Sequence, residues 1–150
     1  AGQKMLNIAT RAAAGSGENT LIAGFVVPAG ASKRVLVRAV GPGLAAFGVA
    51  GVLAQPVLQL QSGAAVVAQN TNWTSSADRD AIGAGSSQAG AFPLAAGDSA
   101  LIGTLAPGNY TVLVTGAGGG SGIALVEVRF MKWIKKPEEA KNHEPVEQSR

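Results

Sequence analysis

Val57-Leu58-Gln59-Leu60-Gln61-Ser62-Gly63-Ala64-Ala65-Val66-Val67-Ala68-Gln69 reads as two strands joined by a tight hairpin. Ser62-Gly63 supplies the turn, because glycine takes the positive φ that so short a connection needs. The runs on either side are apolar or alternate apolar residues with glutamine, the pattern of a strand with one face buried.

The same punctuation continues in both directions. Short apolar or alternating runs, each closed by Gly, Pro, Asn or Ser, recur from the N-terminus to about Met131. They predict strands over 4–10, 20–27, 34–40, 57–61, 64–69, 99–105, 110–115 and 122–130. Eight such strands fit two packed sheets, so the expected fold is an all-β, antiparallel, jelly-roll-like sandwich. Pro28-Ala29-Gly30 and Pro107-Gly108-Asn109 each pre-set a turn φ and then supply residues tolerant of positive φ. Two stretches resist the strand reading. Residues 42–54 are apolar but broken by Gly43, Gly48 and Gly51, which predicts a packed loop or single helical turn, and 77–82 predicts one short helical turn.

After Met131 the character changes. Lys135-Lys136-Pro137-Glu138-Glu139 opens a polar stretch of a composition that does not fold alone. The expected division is a sandwich over 1–131 and a polar tail over 132–150. Trp133 and Ile134 at the root of the tail are candidates to anchor it, on the parent sandwich or on a neighbouring molecule.

Composition narrows the function classes. The chain has 150 residues, enough for one domain that buries a core unaided. Only 14 % of them are charged, against roughly 25 % in an average soluble protein, so much of the surface must be neutral. The net charge of +3 is scattered without a basic run, which implies neither nucleic acid nor an anionic membrane as partner. No apolar stretch is long enough to span a bilayer. The absence of cysteine rules out disulfides, thiolate metal sites and a cysteine nucleophile. An N-terminal Ala1 is what a cleaved secretory product would carry, and the expected location is extracellular or at the cell surface.

Residues for catalysis are scarce. His143 is the one histidine and falls in the polar tail. The acids of the body are Glu18, Asp78, Asp80, Asp98 and Glu127, and Asp78 and Asp80 flank Arg79 in a turn-like context that favours a solvated or capping role. No G-x-S-x-G elbow occurs. Gly41-Pro42-Gly43-Leu44-Ala45-Ala46 matches G-x-G-x-x-A, but Pro42 removes a donor and no acid follows before Asp78, so a tight turn is expected and no dinucleotide. Asn70-Thr71-Asn72-Trp73 offers amide oxygens without a carboxylate, which suits Ca²⁺ poorly. Asn72-Trp73-Thr74 and Asn109-Tyr110-Thr111 are formal glycosylation sequons. We therefore expect no enzyme, no cofactor and no metal.

Leu6-Asn7-Ile8-Ala9-Thr10-Arg11, Leu21-Ile22-Ala23-Gly24-Phe25-Val26-Val27 and Val35-Leu36-Val37-Arg38-Ala39-Val40-Gly41-Pro42 resemble the opening of a repeat domain of large secreted bacterial surface proteins, notably of the Verrucomicrobia. The resemblance continues through Gln55-Pro56-Val57-Leu58-Gln59-Leu60, Asn70-Thr71-Asn72-Trp73, Leu105-Ala106-Pro107-Gly108-Asn109-Tyr110-Thr111 and Gly122-Ile123-Ala124-Leu125-Val126-Glu127-Val128, covering roughly 5–130 in order. It implies a β-sandwich, similar in its second half to pre-peptidase C-terminal domains, acting as a non-catalytic accessory module. Where that family commonly reads Asp-Pro and Asn-Asp-Asn-Trp, this chain has Gln55-Pro56 and Asn70-Thr71-Asn72-Trp73, so two acids are neutral and an implied cation site loses them.

Two functions follow as expectations. No charge occurs between Arg38 and Asp78 or between Asp98 and Glu127, although strands with outward faces lie in both stretches. Free sandwiches guard such surfaces with Lys and Glu, so the first expectation is a structural protein that self-assembles with copies of itself into a filament, sheath or matrix. Met5, Leu6 and Ile8, ahead of a flexible 12–17 linker, are candidates for pairing with a neighbour. The second is a glycan- or cell-surface-binding module, with Trp73 in its polar loop as the stacking candidate.

Overall fold

The computed structural model describes residues 7–131. Along them run β1 (Asn7–Ala14), β2 (Leu21–Val27), β3 (Lys33–Val40), β4 (Pro56–Ser62), β5 (Ala65–Thr71), α1 (Arg79–Gln88), β6 (Ser99–Leu105), β7 (Gly108–Gly116) and β8 (Gly122–Phe130). The strands pair antiparallel throughout, into sheet A with the order β1-β8-β3-β6 and sheet B with the order β2-β7-β4-β5. Only β4 and β5 are both sequential and adjacent. The other connections cross between sheets, which is the two-Greek-key jelly roll.

Sheet B follows the one-face-buried pattern read from its sequence. In β4, Pro56, Leu58 and Leu60 are buried, and the residues between them are half-exposed. These meet Val35, Val37 and Ala39 of β3 and Val126, Val128 and Phe130 of β8 across the core. Phe25 stacks on Tyr110 with ring centroids 5.4 Å apart and meets Phe130 edge-on at 6.2 Å, and the Tyr110 hydroxyl donates to the Ala106 carbonyl at 2.7 Å. Aromatic pairs of this geometry add about 0.5–1.5 kcal/mol beyond their buried area.

Sheet A departs from alternation. β3 is buried from Val35 to Val40 on both faces, because α1 and the segments around it cover the outer face of the sheet. Leu36, Ile82 and Ala100 form a second small core there, with Trp73, Leu94, Ile102 and Met131 packed against it. The helix is longer than the expected turn over 77–82. Gly83, Gly85, Ser86 and Ser87 argue against a helix by propensity, yet Gly85 is what lets α1 lie close, since a Cβ there would stand 3.0 Å from Ile102 Cδ1. Burial of Ile82 against the sheet overrides the local preference.

β1 also differs from expectation. It runs through Ala14 instead of ending near Thr10, so 12–14 are strand and not flexible linker. Its pairing with β8 is continuous from Asn7↔Arg129 to Ala14↔Gly122, and Ile8, opposite Val128, packs against the core. The small side chains of Ala12, Ala13 and Ala14 permit this close lie. β1 thus pairs within its own chain along its whole described length. Met5, Leu6, Trp133, Ile134 and the tail over 132–150 lie outside the described residues.

Candidate functional site

The G-x-G-x-x-A stretch is the first place where the backbone gathers donors. Gly41 precedes a 3-10 turn, Pro42–Phe47, and the amides of Gly41 and Gly43 both point at one oxygen. That oxygen is Asp98 Oδ1, at 2.9 and 3.1 Å, while Asp98 Oδ2 accepts from the Ala95 amide at 2.7 Å. Converging backbone N–H groups form an anion-binding concavity, and here the anion is the chain's own fully buried carboxylate. Glycine is required by contact: a Cβ on Gly41 would collide with the Leu53 carbonyl oxygen, and one on Gly43 would stand 2.6 Å from Asp98 Oδ2. The expected tight turn is present, and its concavity is filled from within.

Neighbouring polar groups are engaged in the same way. Asn70 Oδ1 accepts from the Ala100 amide at 3.0 Å, and Asn72 Oδ1 accepts from the amide and hydroxyl of Thr74 at 3.2 and 2.8 Å. The Asn70–Trp73 loop therefore uses its amide oxygens to hold β6 and its own turn. Among the described residues no three His, Cys, Asp or Glu side chains gather as a metal site would require.

A second buried charge cluster lies on the covered face of sheet A. Arg38 and Glu127 are cross-strand partners, with Arg38 Nε 3.0 Å from Glu127 Oε1. Glu127 Oε2 accepts from Arg129 at 2.9 Å, and Arg129 also donates to the Ala89 carbonyl at 3.2 Å. Phe92 roofs the pair with its ring centroid 4.7 Å from the Arg38 guanidinium carbon, and Phe47 packs edge-on against Phe92 at 4.8 Å. Arg38 is fully buried, and its terminal nitrogens make no hydrogen bond among the described residues. Burial pushes the Arg38 guanidinium below its ordinary pKa; Glu127 opposes the shift and Arg129 adds to it. The sequence carried a signal for this pair. Val35-Leu36-Val37-Arg38-Ala39-Val40 and Val126-Glu127-Val128 are apolar on both faces, so a charge within either must be paired inside the protein.

Trp73, the stacking candidate, forms one wall of a shallow cleft of about 110 Å³ with Gly83, Ser86, Pro93 and Leu94. Its indole N–H donates to the Ala95 carbonyl at 2.9 Å, and its ring packs against the small core under α1. Asp78 and Asp80 are exposed, as expected of solvated residues; Asp78 precedes α1, and Asp80 lies in its first turn.

With Arg38, Asp98 and Glu127 buried, the surface is even poorer in charge than the composition implied. On the outer face of sheet B the register places Ile22, Gly24 and Val26 beside Leu113, Thr111 and Asn109, then Val57, Gln59 and Gln61, then Thr71, Gln69 and Val66. None of these is ionisable, and Ile22 and Val26 are 60 % and 54 % exposed. The four edge strands β1, β2, β5 and β6 contain one ionisable side chain between them, Arg11. Between β5 and β6 the sandwich gapes: a space of about 200 Å³ reaches Val35, Val37 and Leu60 of the core.

No protein-family model matches the chain, and no curated protein matches it. Among solved structures it is similar to the pre-peptidase C-terminal domain of collagenase from Bacillus anthracis, with a TM-score of 0.50 and 13 % sequence identity. That likeness covers 82 % of this chain and 89 % of the other. At such identity the likeness is one of architecture, and the chain has a β-sandwich fold similar to the pre-peptidase C-terminal type.

Proposed function

We propose that this protein is a non-catalytic structural subunit that assembles with copies of itself outside the cell. The observation that carries the reading is where the charges lie. Arg38 and Glu127 of sheet A are buried beneath α1 and Phe92, and the open face of sheet B and three of the four edge strands have no ionisable group. Soluble monomeric sandwiches protect edges with lysine, proline or inward-pointing charge. Here the protection amounts to Arg11 in β1 and a bulge in β5 where Val67 is skipped between Leu60↔Ala68 and Gln61↔Val66. The extracellular placement rests on the resemblance to domains of secreted bacterial surface proteins.

Electron microscopy of the purified protein, with light scattering over a concentration series, tests the proposal. Ordered polymers are expected. A monodisperse monomer at millimolar concentration would overturn it.

Glycan binding has one observation in its favour, the cleft beside Trp73. If that reading holds, Trp73→Ala abolishes retention on a glycan column while leaving assembly intact; unchanged retention removes it.

A further inference from the structure

The self-assembly reading leaves open which surface makes the contact, and the strand directions choose one. Both sheets have four strands, and every pairing in them is antiparallel. In a sheet with an even number of alternating strands the two edges run in opposite directions. β6 therefore runs opposite to β1, and β5 opposite to β2. A second copy displaced along the sheets, without being turned over, presents its β1 beside β6 and its β2 beside β5, both antiparallel. One displacement satisfies both sheets together.

We propose that copies of this chain add edge to edge in this way, the β5/β6 side of one receiving the β1/β2 side of the next. The proposal rests on the self-assembly reading and names its interface. The contact is heterologous, since two different edges meet, and such contacts propagate into open filaments instead of closing as dimers.

The β6 edge has backbone groups directed away from β3. The Ala100 amide is one, and it donates to Asn70 Oδ1. By the alternation of an antiparallel strand the backbone groups of Ile102 and Thr104 also point away from β3. The space between β5 and β6 supplies the apolar part of the contact: Val35, Val37, Leu60, Ala68, Leu101 and Leu105 line it, and Asp78 is the charged residue among its walls. Gly103, opposite the buried Val35, is directed to the core side, yet a Cβ added there meets nothing within 4 Å. On the opposite side of the sandwich the core-facing residues Ile8, Ala12 and Ala23 are only partly buried. They are small or apolar and carry no charge, which suits them to that space in the next copy. The open face of sheet B competes less well, because its apolar residues are interleaved with Gln59, Gln61 and Gln69, which hydrogen-bond among themselves.

The geometry fixes a number. Four strands spaced about 4.8 Å apart give an axial rise of about 19 Å per copy, with strands across the filament axis. Sheet twist makes the relation between copies a screw.

The test is electron cryo-microscopy and fibre diffraction of wild-type polymers, together with two variants. A rise of about 19 Å and a meridional reflection near 4.8 Å are expected. Gly103→Lys plants an inward-pointing charge on the β6 edge and should abolish elongation. Its β1/β2 edge stays intact, so one part in ten added to wild type should cap growing ends and shorten filaments several-fold. Leu113→Lys, on the open face of sheet B in the central strand β7, should leave the polymer unchanged. Polymers with a different rise, lost in Leu113→Lys and kept in Gly103→Lys, would overturn the edge contact while self-assembly stands. No wild-type polymer would overturn both.

Discussion

Replacing Asp98 by alanine is expected to cost about 3–6 kcal/mol of stability, because two buried amides and a partly buried one lose their acceptor at once and each orphaned donor costs about 1–3 kcal/mol. Those amides belong to Gly41, Gly43 and Ala95, so one carboxylate ties the end of β3 and its 3-10 turn to the segment that enters β6. The Asp98 main chain adds another tie, its carbonyl accepting from the Trp73 amide at 2.8 Å. Water cannot rescue the donors without opening the turn, since Gly41 packs against the Leu53 carbonyl and the Pro56 ring. Asp98→Asn should cost less, about 2–3 kcal/mol, because its amide oxygen keeps one group of donors while its NH₂ faces another. Urea unfolding measures both. Midpoints that fall in the order wild type, Asn, Ala with an unchanged slope are expected; an alanine variant within 1 kcal/mol of wild type would sink the argument.

This residue marks where reading the sequence stopped short. The eight strands were legible because each is a short run with turn residues at both ends, and β6 and β8 begin and end at the expected residues. The fate of Pro42–Phe47 was legible too, since glycines that break a helix still permit one tight turn. The chain's own Asp98 as occupant of that turn was not. It lies 55 and 57 residues from its two glycine partners, and no local pattern encodes a contact at that separation.

The misplaced end of β1 has a different origin. Ala12, Ala13 and Ala14 have weak strand propensity, and their place in the sheet comes from eight successive pairings with β8, a tertiary effect. The extension of α1 beyond the expected turn over 77–82 has the same kind of reason: its glycine and serine residues answer to the closeness of sheet A, which only the assembled fold defines. The charge-poor surface was legible in outline from the spacing of Arg38, Asp78, Asp98 and Glu127. Burial of three of those four sharpens it, because residues counted as breaking the neutral stretches turn out to face inward.

Removing the partner of Arg38 should be the second large effect. Glu127→Leu leaves a fully buried guanidinium without its cross-strand carboxylate, beneath Phe92 and with the cation of Arg129 still repelling it. Breaking a buried ion pair from one side costs about 3–5 kcal/mol. The reverse removal should cost less. In Arg38→Met the Glu127 carboxylate keeps Arg129 at 2.9 Å, and Arg129 is partly open to water. The unbranched methionine fills much of the space under Phe92. The double variant Arg38→Met/Glu127→Leu should return to within about 1 kcal/mol of wild type, or exceed it, because it removes both desolvation costs together. A double-mutant cycle by chemical denaturation thus has a definite shape: unequal single losses with Glu127→Leu the larger, and a double variant far more stable than their sum. Additive losses would mean that Arg38 and Glu127 stabilise the sandwich independently. Two apolar residues would then fail to replace the pair, and the account of it as two offsetting desolvation costs would fall.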